Sequence, residues 1–268
     1  MGFLQAIFLG IVQGLTEFLP VSSSGHLVLF QKLFGLKEGV ITFDVAVHLA
    51  TLIAVFIVFK KDILDLLRKP FSKFTFLLVA GTIPAVLVGL LFKDTIDALF
   101  ESGKSLGFEF LLTGLALLYA ENIRGRDKKL EETSSTDAVI IGIAQAIAIL
   151  PAISRSGLTI AGALSRGLNR EFAAKFSFML SIPVILGAAA LDLKDIFKLG
   201  GSADIGIDLL PLIAGMIAAA ISGYFAIRFM LKLLTKGSLK GFAYYVFILA
   251  ALVLVDQLFI GHFFEKLF

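Results

Sequence analysis

Long apolar runs dominate the hydropathy pattern of this 268-residue chain. A transmembrane helix needs about 20 mostly apolar residues. By that standard we assign six runs to spanning helices, at approximately 42–59, 74–92, 106–120, 171–191, 207–231 and 241–262. The pattern therefore predicts an all-α integral membrane protein with about six transmembrane helices.

Two further apolar stretches, 1–36 and 138–168, are interrupted near their middles by FLPVSSSGH and LPAISRSG. Each half is too short to cross a hydrocarbon core of about 30 Å at about 1.5 Å per residue. Irregular backbone at membrane depth is tolerated only inside protein or along a wet cavity. We therefore expect two re-entrant helix-loop-helix hairpins, each returning to the side from which it entered.

The charged residues between the apolar runs predict the orientation. Segments 60–73, 121–137 and 228–240 are rich in Lys and Arg, whereas 93–105 and 192–208 carry more Asp and Glu than Lys and Arg. Basic loops stay on the cytoplasmic side of a membrane. The three basic segments then face the cytoplasm, and both termini face outwards, in a multi-pass protein of the cell inner (plasma) membrane.

Composition excludes a soluble domain. Apolar residues make up 58% of the chain, charged residues 17%, and the mean hydropathy is +0.95, whereas a soluble domain has about 25% charged residues. A pI near 9.0 is typical of nucleic-acid-binding proteins, but here the basic residues lie in loops that set orientation. We therefore predict a membrane-lipid environment and no nucleic-acid partner.

The two interrupted stretches resemble each other. Residues 10–25 read GIVQGLTEFLPVSSSG, and residues 142–157 read GIAQAIAILPAISRSG. Three predicted spans follow each stretch, and because three is odd the second copy enters the membrane inverted. This predicts one membrane domain, 1–268, built from inverted-topology repeats at approximately 1–125 and 138–268, with the broken helices meeting near the pseudo-two-fold axis. Chance similarity between Gly- and Ser-rich packing helices is the alternative.

The first interruption carries an ionisable side chain in an otherwise apolar helix. Gln13 and Glu17 lie four residues apart and therefore on one helical face. Ionisable groups at membrane depth are costly and usually functional, although a capping or packing role for Glu17 stays open. The polar residues that follow are Ser22, Ser23, Ser24, Gly25 and His26.

The second interruption carries a lone cation. Arg155 has a planar guanidinium that suits phosphate or carboxylate; a structural salt bridge to Glu17 across the repeat axis is the alternative. Helices that restart after both Ser-Gly steps would direct backbone N–H groups into the same space. Its small and polar neighbours are Ser154, Ser156, Gly157 and Thr159.

Together these residues predict a phosphate site. A serine hydroxyl is a candidate nucleophile, and His26 is a candidate for proton transfer. We expect Glu17 to hold a divalent cation that bridges phosphate oxygens. Asp44 and His48, four residues apart, are left open between lining the same cavity and a structural role.

The two motifs resemble those of the undecaprenyl-diphosphate phosphatase family of the bacitracin-resistance type. That family carries (E/Q)xxxE followed by PVSS-x-GH, and PGxSRSxxT, where this chain has GIVQGLTEFLPVSSSGH and LPAISRSGLT. The stretches FDVAVHLATLIAVF and GTIPAVLVGLLF also resemble the family, so the likeness covers nearly the whole chain. This chain departs from the pattern at Gln13, where Glu is commoner, and at Ala152, which replaces Gly.

The resemblance implies hydrolysis of undecaprenyl diphosphate to undecaprenyl phosphate and inorganic phosphate at a site opening to the outer, periplasmic side. That reaction recycles the lipid carrier for cell-wall peptidoglycan synthesis and underlies bacitracin resistance. Matched position by position, Ser23 is the implied nucleophile and His26 the acid/base, with Glu17 and Arg155 also catalytic. Glu17 and Gln13 are the implied ligands of Mg²⁺ or Ca²⁺. The implied substrate-binding residues are Ser22, Ser24, Gly25, Ser154, Ser156, Gly157 and Thr159.

A protein of another class stays open. Inverted repeats and broken helices are typical of secondary transporters, and a polyprenyl-phosphate flippase would use the same anion site. An expected Ser23–His26 pair favours chemistry, because anion transport needs no acid/base. A homodimer, the identity of the metal and a water nucleophile in place of serine are also left open.

Overall fold

A computed structural model of the protein describes residues 1–36, 40–123, 127–198 and 207–264. The described chain is built from α-helices, with a short 3-10 turn at Leu130–Glu132 and a π-helical turn at Asp256–Ile260. Parts of the predicted loops, at 124–126 and 199–206, lie outside the described residues. The helices are α1 (Phe3–Phe18), α2 (Ser23–Leu33), α3 (Val40–Val58), α4 (Lys60–Arg68), α5 (Lys73–Leu91), α6 (Lys93–Ser102), α7 (Leu106–Asn122), α8 (Ser135–Ile147), α9 (Arg155–Ser165), α10 (Arg170–Lys198), α11 (Leu209–Lys236) and α12 (Lys240–Val255).

Five helical segments in the described chain are long and apolar enough to cross a membrane. They are Val40–Val58, Lys73–Leu91, Arg170–Lys194, Leu209–Thr235 and Lys240–Ile260. These confirm the all-α, membrane-spanning class and account for five of the six expected spans. The remaining predicted span, 106–120, forms α7. This helix has 17 residues and carries the buried acidic residue Glu109.

Two segments expected to be loops contain helices. Segment 60–73 includes α4, an amphipathic helix with Lys and Asp on one face, and segment 93–105 includes α6. In α4, Ile63 and Leu66 pack against the core although neither is fully buried. The charges in these segments do not prevent helix formation, because Lys and Leu both have high helix propensity.

Both apolar stretches are broken where the sequence predicts. At the start of α2, the Ser22 hydroxyl accepts a hydrogen bond from the Gly25 N–H at 3.2 Å, and at the start of α9 Ser154 accepts from the Gly157 N–H at 3.0 Å. The two helices therefore begin with the same serine N-cap. Ser22 adopts a φ of 72°, a region that residues other than glycine rarely occupy.

Close helix contacts hold the first helix of each broken pair. A Cβ added to Gly10 would overlap the backbone of Gly215, so α1 lies directly against α11. A Cβ added to Gly142 would likewise overlap the backbone of Gly81, so α8 lies directly against α5. Small residues permit such close approach between membrane helices. The two broken pairs are thus packed by equivalent glycines.

Asp137, at the start of α8, is fully buried within a cluster of cations. Its carboxylate accepts from Arg166 Nε at 2.8 Å, from Lys128 Nζ at 3.2 Å and from the Ser134 N–H at 3.0 Å. Burial alone would raise the pKa of Asp137, but these hydrogen bonds and charges lower it to about 2. The cluster therefore ties α8 to the end of α9 and to the connection before α8.

Replacing Asp137 with Asn is expected to destabilise the protein. Folding lowers the pKa of Asp137 from 3.8 to about 2, which corresponds to about 2 kcal/mol of stability at neutral pH. That contribution is present above pH 4 and is lost as the pH falls through about 2. Thermal unfolding in detergent should show a Tm gap between wild type and variant that narrows on acidification. Asp97→Asn, which removes an exposed helix-surface pair, should lower the Tm far less; a gap independent of pH would contradict the assignment.

Candidate active site

The two breaks lie against each other and exchange hydrogen bonds. The Ser22 hydroxyl donates to the Pro151 carbonyl at 3.1 Å, and the Ser24 hydroxyl donates to the same carbonyl. In return, the Ser156 hydroxyl donates to the Leu19 carbonyl at 3.1 Å. Serines of each break therefore satisfy the carbonyls exposed where the other helix ends. The starts of α2 and α9 and the ends of α1 and α8 form one unit.

Glu17 is the centre of the polar contacts in this unit. It is only 6% exposed. Its Oε2 accepts from the Ser23 hydroxyl at 2.6 Å and from Gln13 Nε2 at 3.0 Å, and its Oε1 forms an ion pair with the Arg155 guanidinium. The shared helical face of Gln13 and Glu17 is as predicted. The salt bridge that the sequence left open as an alternative is present.

Arg155 begins α9 and contacts both α1 and α10. Besides Glu17, its guanidinium reaches the Ser177 carbonyl of α10 at 3.4 Å. The Ser177 hydroxyl lies 2.6 Å from Thr159 Oγ1, which also donates to the Arg155 carbonyl at 2.7 Å. Thr159 therefore supports the helix turn that carries Arg155. Ser177 could not be singled out from the sequence, because a serine in an apolar helix is more often a packing residue.

His48 lies in the site, whereas the carboxylate of Asp44 does not reach it. His48 Nε2 is 3.7 Å from Glu17 Oε2, and His48 Nδ1 is 2.7 Å from the Asp44 backbone carbonyl. The Asp44 carboxylate instead accepts from Gln31 Nε2 at 2.7 Å. A guanidinium and an imidazole therefore both lie beside the Glu17 carboxylate.

His26 does not pair with Ser23, in contrast to the expectation from the sequence. Its Nδ1 lies 2.6 Å from the Ser22 carbonyl, and its Nε2 lies 2.8 Å from the Tyr245 hydroxyl. Ser23, at the first turn of α2, faces the end of α1 and donates to Glu17. His26, one turn further on, faces α7 and α12 instead, where it contacts Phe110 and Tyr245.

Two residues of α7 hold the second break, and the sequence analysis missed both. Glu109 Oε2 accepts from the Ala152 N–H at 3.0 Å. Thr113 Oγ1 donates to the Ala152 carbonyl at 3.2 Å and accepts from the Ser154 N–H at 3.0 Å. The presence of Glu109 in an apolar helix is the same signal that singled out Glu17.

The oxygen donors of the site suit a cation shared with a ligand. Within the described residues, no group of three or more His, Asp or Glu side chains could hold a metal ion. Gln13 Oε1, however, is buried and has no hydrogen-bond partner, and it belongs to a side chain that already contacts the Glu17 carboxylate. Mg²⁺ commonly takes one or two carboxylates and completes its shell with water and substrate phosphates. Glu17 and Gln13 fit that kind of site.

Comparisons with known proteins give one consistent family. The family model described as bacitracin resistance protein BacA matches residues 6–252. The chain is 58% identical to the undecaprenyl-diphosphatase of Carboxydothermus hydrogenoformans and 49% identical to undecaprenyl-diphosphatase 3 of Bacillus cereus, in each case over 96% of this chain and 98% of the relative. It is 39% identical to the undecaprenyl-diphosphatase of Methanosphaera stadtmanae over 95% and 98%. The chain therefore belongs to the bacitracin resistance protein BacA family.

Proposed function

We propose that this protein hydrolyses undecaprenyl diphosphate to undecaprenyl phosphate and inorganic phosphate, recycling the carrier lipid for cell-wall synthesis. The 2.6 Å contact between the Ser23 hydroxyl and the Glu17 carboxylate carries the proposal, because it joins a nucleophile to a base beside a phosphate-binding guanidinium. The names of the relatives agree with this reaction.

In the first step, the substrate's terminal phosphate takes the Arg155 guanidinium away from Glu17. Glu17 keeps the hydrogen bond from the Ser23 hydroxyl at Oε2. Ser23 Oγ then attacks the terminal phosphorus while its proton moves to Glu17 Oε2. The bond from phosphorus to the bridging oxygen breaks, and undecaprenyl phosphate leaves. Arg155 and the positive ends of α2 and α9 stabilise the charge on the transferred phosphoryl group.

In the second step, water hydrolyses the phosphoserine. Water oxygen bonds to phosphorus, the bond from phosphorus to Ser23 Oγ breaks, and Oγ regains its proton from Glu17. His26 Nε2 is the final acceptor for the proton that the attacking water gives up. Glu17 is assigned to Ser23 because it accepts the hydrogen bond of that hydroxyl. His26, which does not contact Ser23, is assigned to the water.

Glu17 and Gln13 Oε1 would hold a divalent cation, Mg²⁺ or Ca²⁺, together with phosphate oxygens of the substrate. The cation would neutralise charge on those oxygens.

Chelation with EDTA is therefore expected to lower phosphate release by about 10²-fold or more, with recovery on adding Mg²⁺ or Ca²⁺. Gln13→Ala should raise the cation concentration needed for half-maximal activity. The matched variant Gln145→Ala, at a buried glutamine of α8 that contacts the Gly81 carbonyl, should not. Full activity in EDTA would remove the cation from the mechanism.

We also propose that α1–α2 and α8–α9 are re-entrant hairpins of an inverted repeat, with the site opening outwards and both termini outside. Three observations support the repeat: the matching serine N-caps, the reciprocal serine-to-carbonyl bonds and the glycine contacts of α1 with α11 and of α8 with α5. This arrangement would let the diphosphate enter a polar pocket while the prenyl tail stays in lipid.

The deciding experiment measures phosphate release from undecaprenyl diphosphate by the full-length protein purified in detergent. We expect one inorganic phosphate for each lipid monophosphate formed. No release by the wild-type protein would overturn the proposal. Transfer of labelled polyprenyl phosphate between bilayer leaflets without phosphate release would instead support the flippase alternative.

A further inference from the structure

The hydrogen bonds of His26 define which ring nitrogen carries its proton. Nδ1 lies 2.6 Å from the backbone carbonyl of Ser22. A carbonyl oxygen only accepts hydrogen bonds, so Nδ1 is the donor and bears the hydrogen. In the neutral ring, Nε2 then carries the lone pair. The Tyr245 hydroxyl, 2.8 Å from Nε2, donates to that lone pair.

The imidazole of His26 is fixed in this orientation from both sides. Its ring stacks on that of Tyr245 with centroids 5.6 Å apart and planes at 13°, and the ring of Phe110 meets it edge-on at 5.8 Å. His26 is 2% exposed, whereas Tyr245 is 43% exposed. The tyrosine is therefore the open member of the pair and covers the histidine.

This geometry leaves one route to the basic nitrogen. Nε2 has a single lone pair in the plane of the ring, and the Tyr245 hydroxyl occupies it. A proton that reaches Nε2 in this arrangement comes from that hydroxyl. A phenol hydroxyl both donates and accepts, so its oxygen can take a proton as it gives one up.

We infer that Tyr245 is a further catalytic residue, the proton relay between the attacking water and His26. The inference rests on the proposed function and concerns its second step. The water proton moves to the Tyr245 oxygen while the Tyr245 hydroxyl proton moves to His26 Nε2. Water oxygen bonds to phosphorus, and Ser23 Oγ leaves with the proton held by Glu17. The tyrosine is neutral before and after the step, and the imidazolium later releases its proton to solvent.

The test is Tyr245→Phe, which removes the hydroxyl and keeps the stacked ring. Steady-state phosphate release should fall by about 10²-fold or more with KM not raised. Undecaprenyl phosphate should appear as a burst, and intact-protein and peptide mass spectrometry should find phosphate accumulating on Ser23. Accumulation occurs because the first step uses Glu17 and is unaffected, whereas the second step has lost its relay.

Two further variants separate a relay from a structural role. Tyr244→Phe, at the neighbouring exposed tyrosine of α12, should keep wild-type turnover, and thermal unfolding should show both variants folded. His26→Asn should accumulate the same phosphoenzyme, and adding Tyr245→Phe to it should cause no further loss. Unchanged turnover of Tyr245→Phe, or a loss without a phosphoenzyme, overturns the relay. Absence of phosphate release by the wild-type protein instead overturns the proposed function.

Discussion

Replacing Arg155 with alanine is expected to lower kcat for phosphate release by at least about 10³-fold, the scale measured for arginines that stabilise phosphoryl-transfer transition states. Its guanidinium is the group that pairs with Glu17 at rest and that the proposed mechanism assigns to the transferred phosphate. Arg155→Lys keeps the charge but loses the planar fork, so its activity should fall between wild type and alanine. Initial rates of phosphate release, measured at several substrate concentrations, would give kcat and KM for each variant.

The controls for Arg155→Ala must separate chemistry from folding. The substitution leaves Glu17 as a buried carboxylate without its ion-pair partner, which is strongly destabilising. The double variant Arg155→Ala/Glu17→Gln removes both charges and should unfold at a higher temperature than Arg155→Ala while staying inactive. Arg228→Ala, at an exposed arginine that contacts Tyr224, should keep wild-type activity. Phosphate release by Arg155→Ala at the wild-type rate would contradict the proposed phosphatase mechanism.

Removal of the proposed nucleophile, Ser23, should lower kcat for phosphate release at least as much as removal of Arg155. Ser23→Ala is expected to lower kcat on the order of 10⁴-fold or more, because loss of the nucleophilic serine of a serine protease costs at least that much. Glu17→Gln should lose about 10²–10⁴-fold as a lost general base. Since Ser23 and Glu17 act as a unit across a 2.6 Å hydrogen bond, the double variant should be no worse than Ser23→Ala alone.

The double-mutant cycle also distinguishes the two nucleophiles that the sequence left open. Losses that add in the free energy of activation would mean that Ser23 and Glu17 act separately. Full activity of Ser23→Ala with a divalent cation present would assign the attack to water. Rapid-quench detection of a phosphoenzyme in the wild type would support serine independently of any substitution.

Hydropathy predicted most of the fold because helices in lipid must be apolar along their length. It read the segments that form α4 and α6 as loops. Those errors share a cause: a hydropathy window reports depth in the membrane, whereas helix formation depends on local hydrogen bonds and propensity. The breaks after Phe18 and Ile147 were predicted because Pro, Ser and Gly interrupt a helix in a way that residue type alone reveals.

For the candidate site, the sequence predicted the participants better than their pairing. Gln13, Glu17, Ser23 and Arg155 are linked around one carboxylate, as expected of residues at facing breaks. Ser23 and His26, three residues apart, diverge because successive turns of α2 face different neighbours. Tyr245 could not have been identified, since its role depends on where α12 packs, and no local pattern encodes that contact.

The resting pair of Glu17 and Arg155 also affects how the site empties. After hydrolysis, inorganic phosphate holds Arg155 only as long as it outcompetes a carboxylate tethered a few ångströms away. That tethered carboxylate is an internal competitor at high effective concentration, and inorganic phosphate must displace it to bind again. On the proposed mechanism we therefore expect weak product inhibition, and free phosphate should inhibit Glu17→Gln, at its residual rate, at lower concentrations than it inhibits the wild type.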